Sequence, residues 1–434
     1  MTNKENPNND LQASKGMRDI FGNDFYAYQG FCEKAAEVAI YYGFTPIETP
    51  ILEKTNLFER GTGENTDIVS KEMYSLKTKG GDSLSLRPEL TPSIMRAYLE
   101  NGFQSEPQPV MLYSYGPLFR HDKPQRGRYR QFYQFDLEVI GTSKSIADAM
   151  IIKVFMLILA EAGLKNLRLQ INTIGDKDCR PIFRRELINY YKRHARGLCE
   201  DCRERLKINP LRVLDCKDPK CQELKLDAPT AISYLCDGCK IHFREVLEYL
   251  EMMEIPYEIN NTLVRGLDYY SRTVFEIIEN VVDDDAGGLP LAIAGGGRYD
   301  YLARCLGNKK DVPAVGGAIG IDRMMLSPNY QRQSPRIVKK PKVFFIQLSF
   351  DAKLKSLAVI EILRKAKIPM AQSLSKDSLG VQLGIAEKLQ VPYTIILGQK
   401  EVIDNTVIVR NMGNRSQDTV SIAKLAEYIK GLDK

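Results

Sequence analysis

The chain has 434 residues, of which 44% are hydrophobic and 27% charged, with a net charge of +6. This length allows two or three domains with full cores. Its longest apolar stretch, residues 146–163, is interrupted by charged side chains, which argues against a membrane span, and the modest positive charge permits a polyanionic partner without requiring one.

A helix is predicted over residues 24–42, where apolar residues recur at helical spacing. It follows a polar stretch, residues 1–10, without the apolar core of a secretory signal, so we expect a disordered tail on a cytoplasmic protein. An extended segment over residues 44–52 comes next, and its two prolines confine it to a sheet edge or an interface.

The stretch from 59 to 76 contains two glycines but no following Gly-Lys-Ser or Gly-Lys-Thr. It is therefore predicted to be a surface loop rather than a phosphate-binding loop. A strand over residues 83–86 leads into a helix in which Thr91 is the expected N-cap and Pro92 occupies the first turn. Glu89 lies just ahead of that helix, where its carboxylate is free to face a ligand.

The most informative stretch is a predicted antiparallel hairpin, with strands over residues 113–119 and 129–140 joined by a basic loop. Hydrophobic side chains on one face of the second strand alternate with a face that carries Arg130, Gln134 and Glu138. Because a buried charge without a partner is costly, that polar face is predicted to line a pocket. Arg120, at the mouth of the hairpin, could bind a phosphate through its guanidinium fork. A solvated hairpin is the alternative.

Beyond the hairpin we predict a helix over residues 145–163, a strand over 167–174 and a basic helix over 179–194. The following segment is rich in cysteine. Two Cys-x-x-Cys pairs have the spacing of a structural zinc site, because each turn aims two sulfurs at one point. The candidate ligands of one tetrahedral Zn²⁺ are Cys199, Cys202, Cys236 and Cys239.

An alternative for this segment is a set of six reduced cysteines, since Cys216 and Cys221 lie between the two pairs. Disulfides are rare in the cytosol, so the choice is between free thiols and bound metal.

A strand over residues 257–263 is predicted to deliver the sequence Leu-Val-Arg-Gly-Leu-Asp-Tyr-Tyr, which ends at residue 270, and another strand follows over 273–278. Arg265, beside a glycine on a tight turn, can place a fixed cation near bound phosphate. Tyr269 and Tyr270 could offer rings and hydroxyls to a ligand. A role in the core for at least one of the two tyrosines is the alternative.

A polar hairpin turn is predicted over residues 283–288, and a strand over 291–294 then runs into three glycines at 295–297. Those glycines are expected to let the backbone approach a ligand closely. A glycine-spaced segment over 315–326 passes from strand to helix. The guanidinium of its Arg323 could stack on a flat ring and neutralise an anion, or Arg323 could be an exposed arginine at a helix start.

A linker over residues 331–342, rich in proline and basic residues, precedes a separate α/β unit over 343–434. Its predicted elements are strands over 343–348, 393–397 and 406–410 and helices over 352–366, 379–389 and 420–429.

Two motifs carry a resemblance to a known family. Residues 119–134, FRHDKPQRGRYRQFYQ, resemble motif 2 of the class II aminoacyl-tRNA synthetases in its histidyl form, and residues 263–276, LVRGLDYYSRTVFE, are similar to a signature of the histidyl-tRNA synthetases. The helix and strand up to Pro50 resemble motif 1, the dimer element, and residues 315–326 resemble motif 3. The resemblance covers nearly the whole chain.

The resemblance implies an α+β fold: an antiparallel-sheet catalytic domain over residues 11–330 with a helical insertion at about 176–255, and a C-terminal α/β anticodon-binding domain over 343–434. It implies a homodimer that is located in the cytoplasm and does not bind membranes. The implied activity uses ATP to activate L-histidine and transfers it to the 3′ end of tRNA(His). Because activation mainly positions two anions, arginines rather than a nucleophile should carry the site. Mg²⁺ would bridge the ATP phosphates.

The roles implied for individual residues fall into three groups. The expected catalytic residues are Arg120, Arg265 and Arg323. The expected ATP-binding residues are Arg120, Arg128 and Arg323. The expected histidine-binding residues are Glu89, Leu90, Thr91, Arg120, Gln134, Glu138, Arg265, Tyr269 and Tyr270, with Glu138 open to an alternative role as a metal ligand.

Two other functions stay open at this point. One is a regulatory subunit of ATP phosphoribosyltransferase, which shares the catalytic fold but lacks the C-terminal domain. The other is a synthetase for a different amino acid. Arg265 and residues 343–434 argue against the first. The residues that argue against the second are Glu89, Gln134, Glu138, Tyr269 and Tyr270.

Overall fold

The computed structural model describes residues 11–64, 66–280, 292–374 and 377–432. The chain divides into two compact units, Met1–Pro335 and Arg336–Lys434. Both the ten-residue tail and the turn predicted over 283–288 lie outside the described residues. Within the described ranges, no helix combines the length and the apolar character needed to cross a membrane.

Strands and helices alternate irregularly along the first unit. Its strands are β1 Thr45–Pro46, β2 Leu52–Lys54, β3 Ser75–Lys77, β4 Ser83–Leu86, β5 Val110–Phe119, β6 Gln131–Ile140, β7 Leu167–Thr173, β8 Tyr257–Ile259, β9 Ser271–Glu279, β10 Ala292–Arg298 and β11 Ala314–Gly320. Its helices are α1 Gly22–Tyr41, α2 Thr55–Phe58, α3 Thr91–Glu100, α4 Ile146–Glu161, α5 Arg180–Arg193, α6 Glu200–Ile208, α7 Pro219–Lys225, α8 Asp237–Met252, α9 Leu302–Cys305 and α10 Ile321–Met324.

Eight of these strands form one sheet in the order β1-β5-β6-β11-β10-β9-β7-β8. All its interior pairings, from β5 through β7, are antiparallel. At both edges a short strand pairs in parallel, β1 with β5 and β8 with β7. The predicted antiparallel sheet is therefore confirmed in its body, and the proline segment forms an edge strand as expected.

The main core lies between this sheet and helices α1 and α4. Phe135, Leu137 and Val139 of β6 are fully buried there, so the predicted hydrophobic face of the hairpin is confirmed. A second core on the other face of the sheet contains α3, and Leu90, just before that helix, is completely buried in it. Burial of one face of each strand in this way fixes the register of the sheet, and hence which side chains of β6 face the second core.

Helices α5 to α8 lie in the chain between β7 and β8. The predicted strand at 257–263 is confirmed only for its first three residues, because after Ile259 the chain turns through hydrogen bonds between Asn260 and Thr262.

The second unit has its own five-stranded sheet in the order β13-β12-β14-β15-β16. Its elements are β12 Val343–Gln347, α11 Phe350–Lys365, β13 Met370–Gln372, α12 Leu379–Lys388, β14 Tyr393–Leu397, α13 Gln399–Asp404, β15 Thr406–Asn411, β16 Gln417–Ser421 and α14 Leu425–Gly431.

The helix predicted over 420–429 is wrong in its first part. Val420 belongs to β16, which pairs antiparallel with β15. It buries one β-branched side chain between exposed polar neighbours, and pairing with a formed strand outweighs the weak helical spacing.

Candidate active site

Strand β6 carries the polar face predicted to line a pocket, and the sheet places glycines opposite its functional side chains. Gln134 pairs with Gly116 on one side and Gly320 on the other, while Glu138 pairs with Gly316. A Cβ at Gly316 would stand 1.5 Å from a carboxylate oxygen of Glu138. Only glycine at this position leaves room for the Glu138 carboxyl group above the sheet.

Glu89 lies just ahead of α3 and is 5% exposed. Its carboxylate accepts hydrogen bonds from the hydroxyls of Thr62 and of Tyr269, the latter at 2.6 Å. Burial raises the pKa of the Glu89 carboxyl, and these hydrogen bonds together with the charges of Arg120 and Arg265 oppose the rise. Two motifs that are 180 residues apart thus meet at one carboxylate.

Glu138 forms a second buried carboxyl site. It accepts hydrogen bonds from the Thr91 hydroxyl at 2.6 Å and from the Tyr299 hydroxyl. Burial raises the pKa of Glu138 to about 8. The group therefore holds a proton near neutral pH, unless a cation is brought beside it.

The Thr62 and Thr91 contacts correct two predictions. Thr91 begins α3, but its hydroxyl is drawn to Glu138 and makes no capping hydrogen bond. The segment predicted as a surface loop is wrong at Gly61 and Thr62, which are buried. The Thr62 carbonyl also accepts from the Asp268 backbone amide, because the segment packs against the turn that carries Arg265.

Four arginines converge beside the loop that joins β5 and β6, namely Arg120, Arg128, Arg265 and Arg323. Burial, followed by the positive charges of Arg128, Arg120 and Arg265, lowers the pKa of the Arg323 guanidinium to about 10. Like charges so close together repel, so the arrangement costs free energy until an anion joins it. Nη1 of Arg323 donates to the Ala292 carbonyl at 3.0 Å, and Nε of Arg120 donates to the Pro88 carbonyl at 2.9 Å. Both side chains are therefore held in place.

Arg265 is oriented from two sides. Its Nη1 pairs with the Glu276 carboxylate on β9, and the guanidinium lies flat over Gly295, where an added Cβ would come within 2.6 Å of Nη1. The glycines at 295–297 were predicted to admit a ligand, whereas at Gly295 the space admits Arg265. Within the described part of the chain, the buried Nε atoms of Arg265 and Arg128 have no hydrogen-bond partner, which leaves donors for an anion.

The structure thus brings together almost all of the predicted site. Leu90, Tyr269 and Tyr270 all lie in the second core, as the alternative for the tyrosines predicted, but the Tyr269 hydroxyl reaches Glu89 whereas Leu90 has no polar group to offer. Sequence reasoning missed Thr62, Tyr299 and Asp136 as members of the network. Asp136 is buried beside these groups, and burial together with the charges of Glu138 and Glu89 raises its pKa well above the usual range. Tyr299 follows the glycine run, the one signal that could have pointed to it.

The predicted single zinc site is wrong in its ligand set. Cys199 and Cys202 lie with Cys216 and Cys221, whereas Cys236 and Cys239 lie with Asp176 and Cys179. The two Cys-x-x-Cys pairs belong to different clusters, because the chain between them folds back on itself through α6 and α7 before α8 begins.

An antiparallel sheet that carries a long hairpin, with arginines converging from three motifs, is the architecture of a class II aminoacyl-tRNA synthetase. A family profile described as histidyl-tRNA synthetase matches residues 16–175 and 229–324, and a profile described as anticodon binding domain matches residues 342–432. The chain belongs to the histidyl-tRNA synthetase family.

Individual relatives agree with this assignment. The chain is 41% identical over 416 residues to a histidine–tRNA ligase of Desulforamulus reducens, covering 96% of this chain and 98% of the relative. It is 41% identical over 421 residues to one of Desulforudis audaxviator, covering 97% and 98%. The crystal structure of apo S. aureus histidyl-tRNA synthetase is similar with a TM-score of 0.79 and 30% identity, covering 97% of this chain and 100% of that chain.

Proposed function

We propose that the chain is a histidine–tRNA ligase that activates L-histidine with ATP and transfers it to the 3′ end of tRNA(His). In the first step a carboxylate oxygen of histidine attacks the α-phosphorus of ATP and pyrophosphate leaves. In the second, a terminal ribose hydroxyl of the tRNA attacks the adenylate carbonyl and AMP leaves. The observation that carries the proposal is the convergence of four arginines beside two buried carboxyl groups.

The arginines supply what the first step needs, which is neutralisation of charge that grows on the phosphates. We assign Arg120, Arg265 and Arg323 to the reacting phosphate and the histidine carboxylate, and Arg128 with Arg120 and Arg323 to ATP. Burial, and after it the charges of the other three arginines, lower the pKa of Arg323 to about 10. The repulsion between the four cations is relieved when the anionic substrates bind.

The carboxyl groups supply recognition of a cationic amino acid. We assign Glu89 and Thr91 to the α-ammonium of histidine, and Gln134, Glu138 and the tyrosine pair to its imidazole. Tyr269 and Tyr270 lie with ring centroids 4.7 Å apart, beside Glu89. Leu90 would contribute only through its backbone, since its side chain is in the core.

Mg²⁺ accompanies ATP in this chemistry, and it prefers oxygen ligands, several of which are usually phosphate or water. Glu138 is a poor candidate ligand, because both its oxygens accept hydrogen bonds and its pKa is about 8. Among the described residues, the groups of three or more suitable side chains are the two cysteine clusters. We therefore propose that phosphate oxygens and water supply most of the ligands of Mg²⁺. We also propose that the enzyme works in the cytoplasm.

A homodimer is part of the proposal. Apolar side chains are exposed at the end of α1 and beside β2, with Tyr41 87% and Ile51 41% exposed, and β1 leaves the edge of the sheet open. Exposed apolar residues next to an unpaired edge favour association. Light scattering after gel filtration should give twice the chain mass of 49.2 kDa, and a monomer mass would contradict this.

Exchange of radioactive pyrophosphate into ATP tests the activity, with each amino acid in turn. Histidine alone should stimulate exchange. Replacing Arg265 with alanine should lower the exchange rate by a factor of about 10² to 10³, as loss of one preorganised charge at a transition state does. Arg304→Ala, which removes an arginine that pairs with Asp311 on the surface, should exchange like the wild type.

A second variant tests the position of the Arg265 guanidinium without removing its charge. Gly295→Ala keeps Arg265 but places a methyl group against its guanidinium, so exchange should fall while the fold is retained. Stimulation by another amino acid would reject the histidine assignment. No exchange with any amino acid would favour a regulatory subunit of ATP phosphoribosyltransferase.

A further inference from the structure

The helical segment between β7 and β8 contains seven of the nine cysteines of the chain. They divide between two clusters, and in each cluster the four ligand atoms all lie within 4.8 Å of one another. We name them the insert cluster, which comprises Cys199, Cys202, Cys216 and Cys221, and the base cluster, which comprises Asp176, Cys179, Cys236 and Cys239.

We propose that each cluster binds one structural Zn²⁺, so that the chain carries two zinc ions, neither of them at the site where ATP and histidine bind. This proposal does not depend on the ligase activity, because it rests on ligand geometry alone.

The sulfur separations fit tetrahedral zinc. With a Zn–S bond of about 2.3 Å, two thiolates on a tetrahedral ion stand about 3.8 Å apart. The Sγ atoms of Cys199 and Cys216 are 3.7 Å apart, and those of Cys179 and Cys239 are 3.8 Å apart. A disulfide would need about 2.05 Å, so the sulfurs are spaced for a shared ion and not for a covalent bond.

The fourth ligand of the base cluster is a carboxylate. With Zn–O near 2.0 Å, an oxygen and a sulfur on the same ion stand about 3.5 Å apart. Oδ1 of Asp176 is 3.4 Å from the Cys179 sulfur and 3.9 Å from the Cys236 sulfur. Arg272 pairs with the other oxygen of Asp176 at 3.4 Å, which is the kind of contact that orients a ligating carboxylate.

Backbone amides and helix ends favour thiolates at both clusters. The amide of Cys199 donates to the Cys221 sulfur at 3.3 Å, and the amide of Asp176 donates to the Cys179 sulfur at 3.3 Å. In the base cluster the thiols also stand at the first turns of α5 and α8, where the helix dipole stabilises negative charge.

A buried lysine beside the insert cluster offsets part of its negative charge. Four thiolates around Zn²⁺ leave two negative charges, and Lys225, which is 8% exposed, donates to the Cys216 carbonyl beside them. Helices α6 and α7 have only nine and seven residues. Helices this short need a source of stability beyond their own hydrogen bonds, and a bound ion that links them supplies it.

The base cluster joins elements that are far apart in the chain. Its ligands come from the end of β7 and the start of α8, and Arg272 exchanges backbone hydrogen bonds with Ile174 and Gly175, at 2.8 Å each. Arg180, next to Cys179, donates to the Tyr270 carbonyl at 2.8 Å. An ion at this position would therefore fix the insertion to the strand that follows Tyr270.

Metal analysis of the full chain, purified without a metal-affinity step, tests the proposal directly. The wild type should contain two zinc ions per chain. The double variant Cys202→Ser with Cys221→Ser should contain one, and so should Cys179→Ser with Cys239→Ser. Cys305→Ser, which changes an exposed cysteine outside both clusters, should keep two.

X-ray absorption on the wild-type protein keeps the test valid if a variant fails to fold. The average zinc should have about 3.5 sulfur neighbours near 2.3 Å, with the remainder oxygen. Zinc below one ion in five chains, iron in its place, or fewer than nine titratable thiols after denaturation with chelator would overturn the proposal. If only one of the two double variants contains less zinc than the wild type, the proposal would be wrong for the cluster that the other double variant changes.

Discussion

Glu138 shows how one residue couples the sheet to the chemistry of the site. Its pKa of about 8, raised by burial, compares with an ordinary value of 4.5. At neutral pH the folded chain therefore holds a proton that the unfolded chain has lost. A cationic ligand beside the carboxyl would draw that proton off, so recognition of a charged amino acid is linked to the protonation of this residue.

The sign of the resulting pH dependence follows directly. A carboxyl whose pKa is raised on folding stabilises the protein fully below its unfolded value, and this stabilisation is lost as the pH rises toward the folded value. Without ligand, the free energy of unfolding should therefore decline between about pH 4.5 and 8. Burial of Glu89 acts in the same direction.

We expect Glu138→Gln to flatten that decline, because glutamine cannot ionise, while its amide oxygen can accept from one of the Thr91 and Tyr299 hydroxyls and its amide nitrogen can donate to the other. Urea unfolding at several pH values between 5 and 8 measures it, with Glu258→Gln on the exposed pair with Arg168 as the control. A variant with the same slope as the wild type would show that Glu138 does not carry the dependence.

At the scale of elements, strand β10 is attached to two helices through a single buried arginine. Arg298 is fully buried, and its Nε lies 3.1 Å from a carboxylate oxygen of Asp148 on α4. It also contacts Asp300 at 3.1 Å, and Asp148 accepts from His242 on α8 at 3.3 Å. Although burial alone would raise the pKa of Asp148, the Arg298 and His242 interactions hold it at about 2.

Removing one partner of this network should destabilise the fold strongly. Asp148→Asn removes the carboxylate that contacts two nitrogens of the buried guanidinium and leaves Asp300 as its counter-charge, and breaking a buried ion pair typically costs about 3–5 kcal/mol. Denaturation by urea should show the loss, and Arg168→Ala, at the half-exposed pair with Glu258, should change the unfolding free energy by less than about 1 kcal/mol. Equal effects of the two variants would contradict a special role for the buried network.

Local patterns predicted most elements of the first unit, because its helices and strands bury one regular face. Helix α1 and both hairpin strands lie within a few residues of their predicted ranges. The predictions fail where the position of a residue depends on a contact with a residue far away in the chain. Thr62 is hydrogen-bonded through its carbonyl to the turn before Tyr269, and the Tyr299 hydroxyl reaches Glu138 from just beyond the end of β10, another strand of the sheet. The Thr62 contact leaves no local trace in the sequence, and Tyr299 is marked only by the glycine run before it.

The cysteine clusters illustrate the same limit. Spacing alone joined Cys199 and Cys202 to the next Cys-x-x-Cys pair, since both pairs have the same local turn. The path of the chain between them places the two pairs in different clusters. Asp176, a candidate ligand 60 residues before Cys236, belongs to no motif whose spacing would predict a metal site. The arginines were easier to predict, because each lies within one of three recognisable motifs, Arg120 and Arg128 in the same one.

At the scale of the whole molecule, the chemistry belongs to one compact unit. The two carboxyl sites, the four arginines and both cysteine clusters lie within residues 11–335, while residues 336–434 have a core of their own. A unit with its own core can fold independently. The first unit alone should therefore still activate histidine, whereas its rate of tRNA charging should be much lower than that of the full chain.

We expect a chain that ends at Pro335 to keep histidine-dependent pyrophosphate exchange and to lose most of its tRNA charging. Removing the unit that matches an anticodon binding domain removes contacts to tRNA, and each 1.4 kcal/mol of lost binding raises the tRNA KM about tenfold. Exchange and charging should be measured on the same preparation, with circular dichroism as the check on folding. A folded truncation that charges tRNA like the full chain would place tRNA recognition in the first unit, and one that has lost exchange would make activation depend on both units.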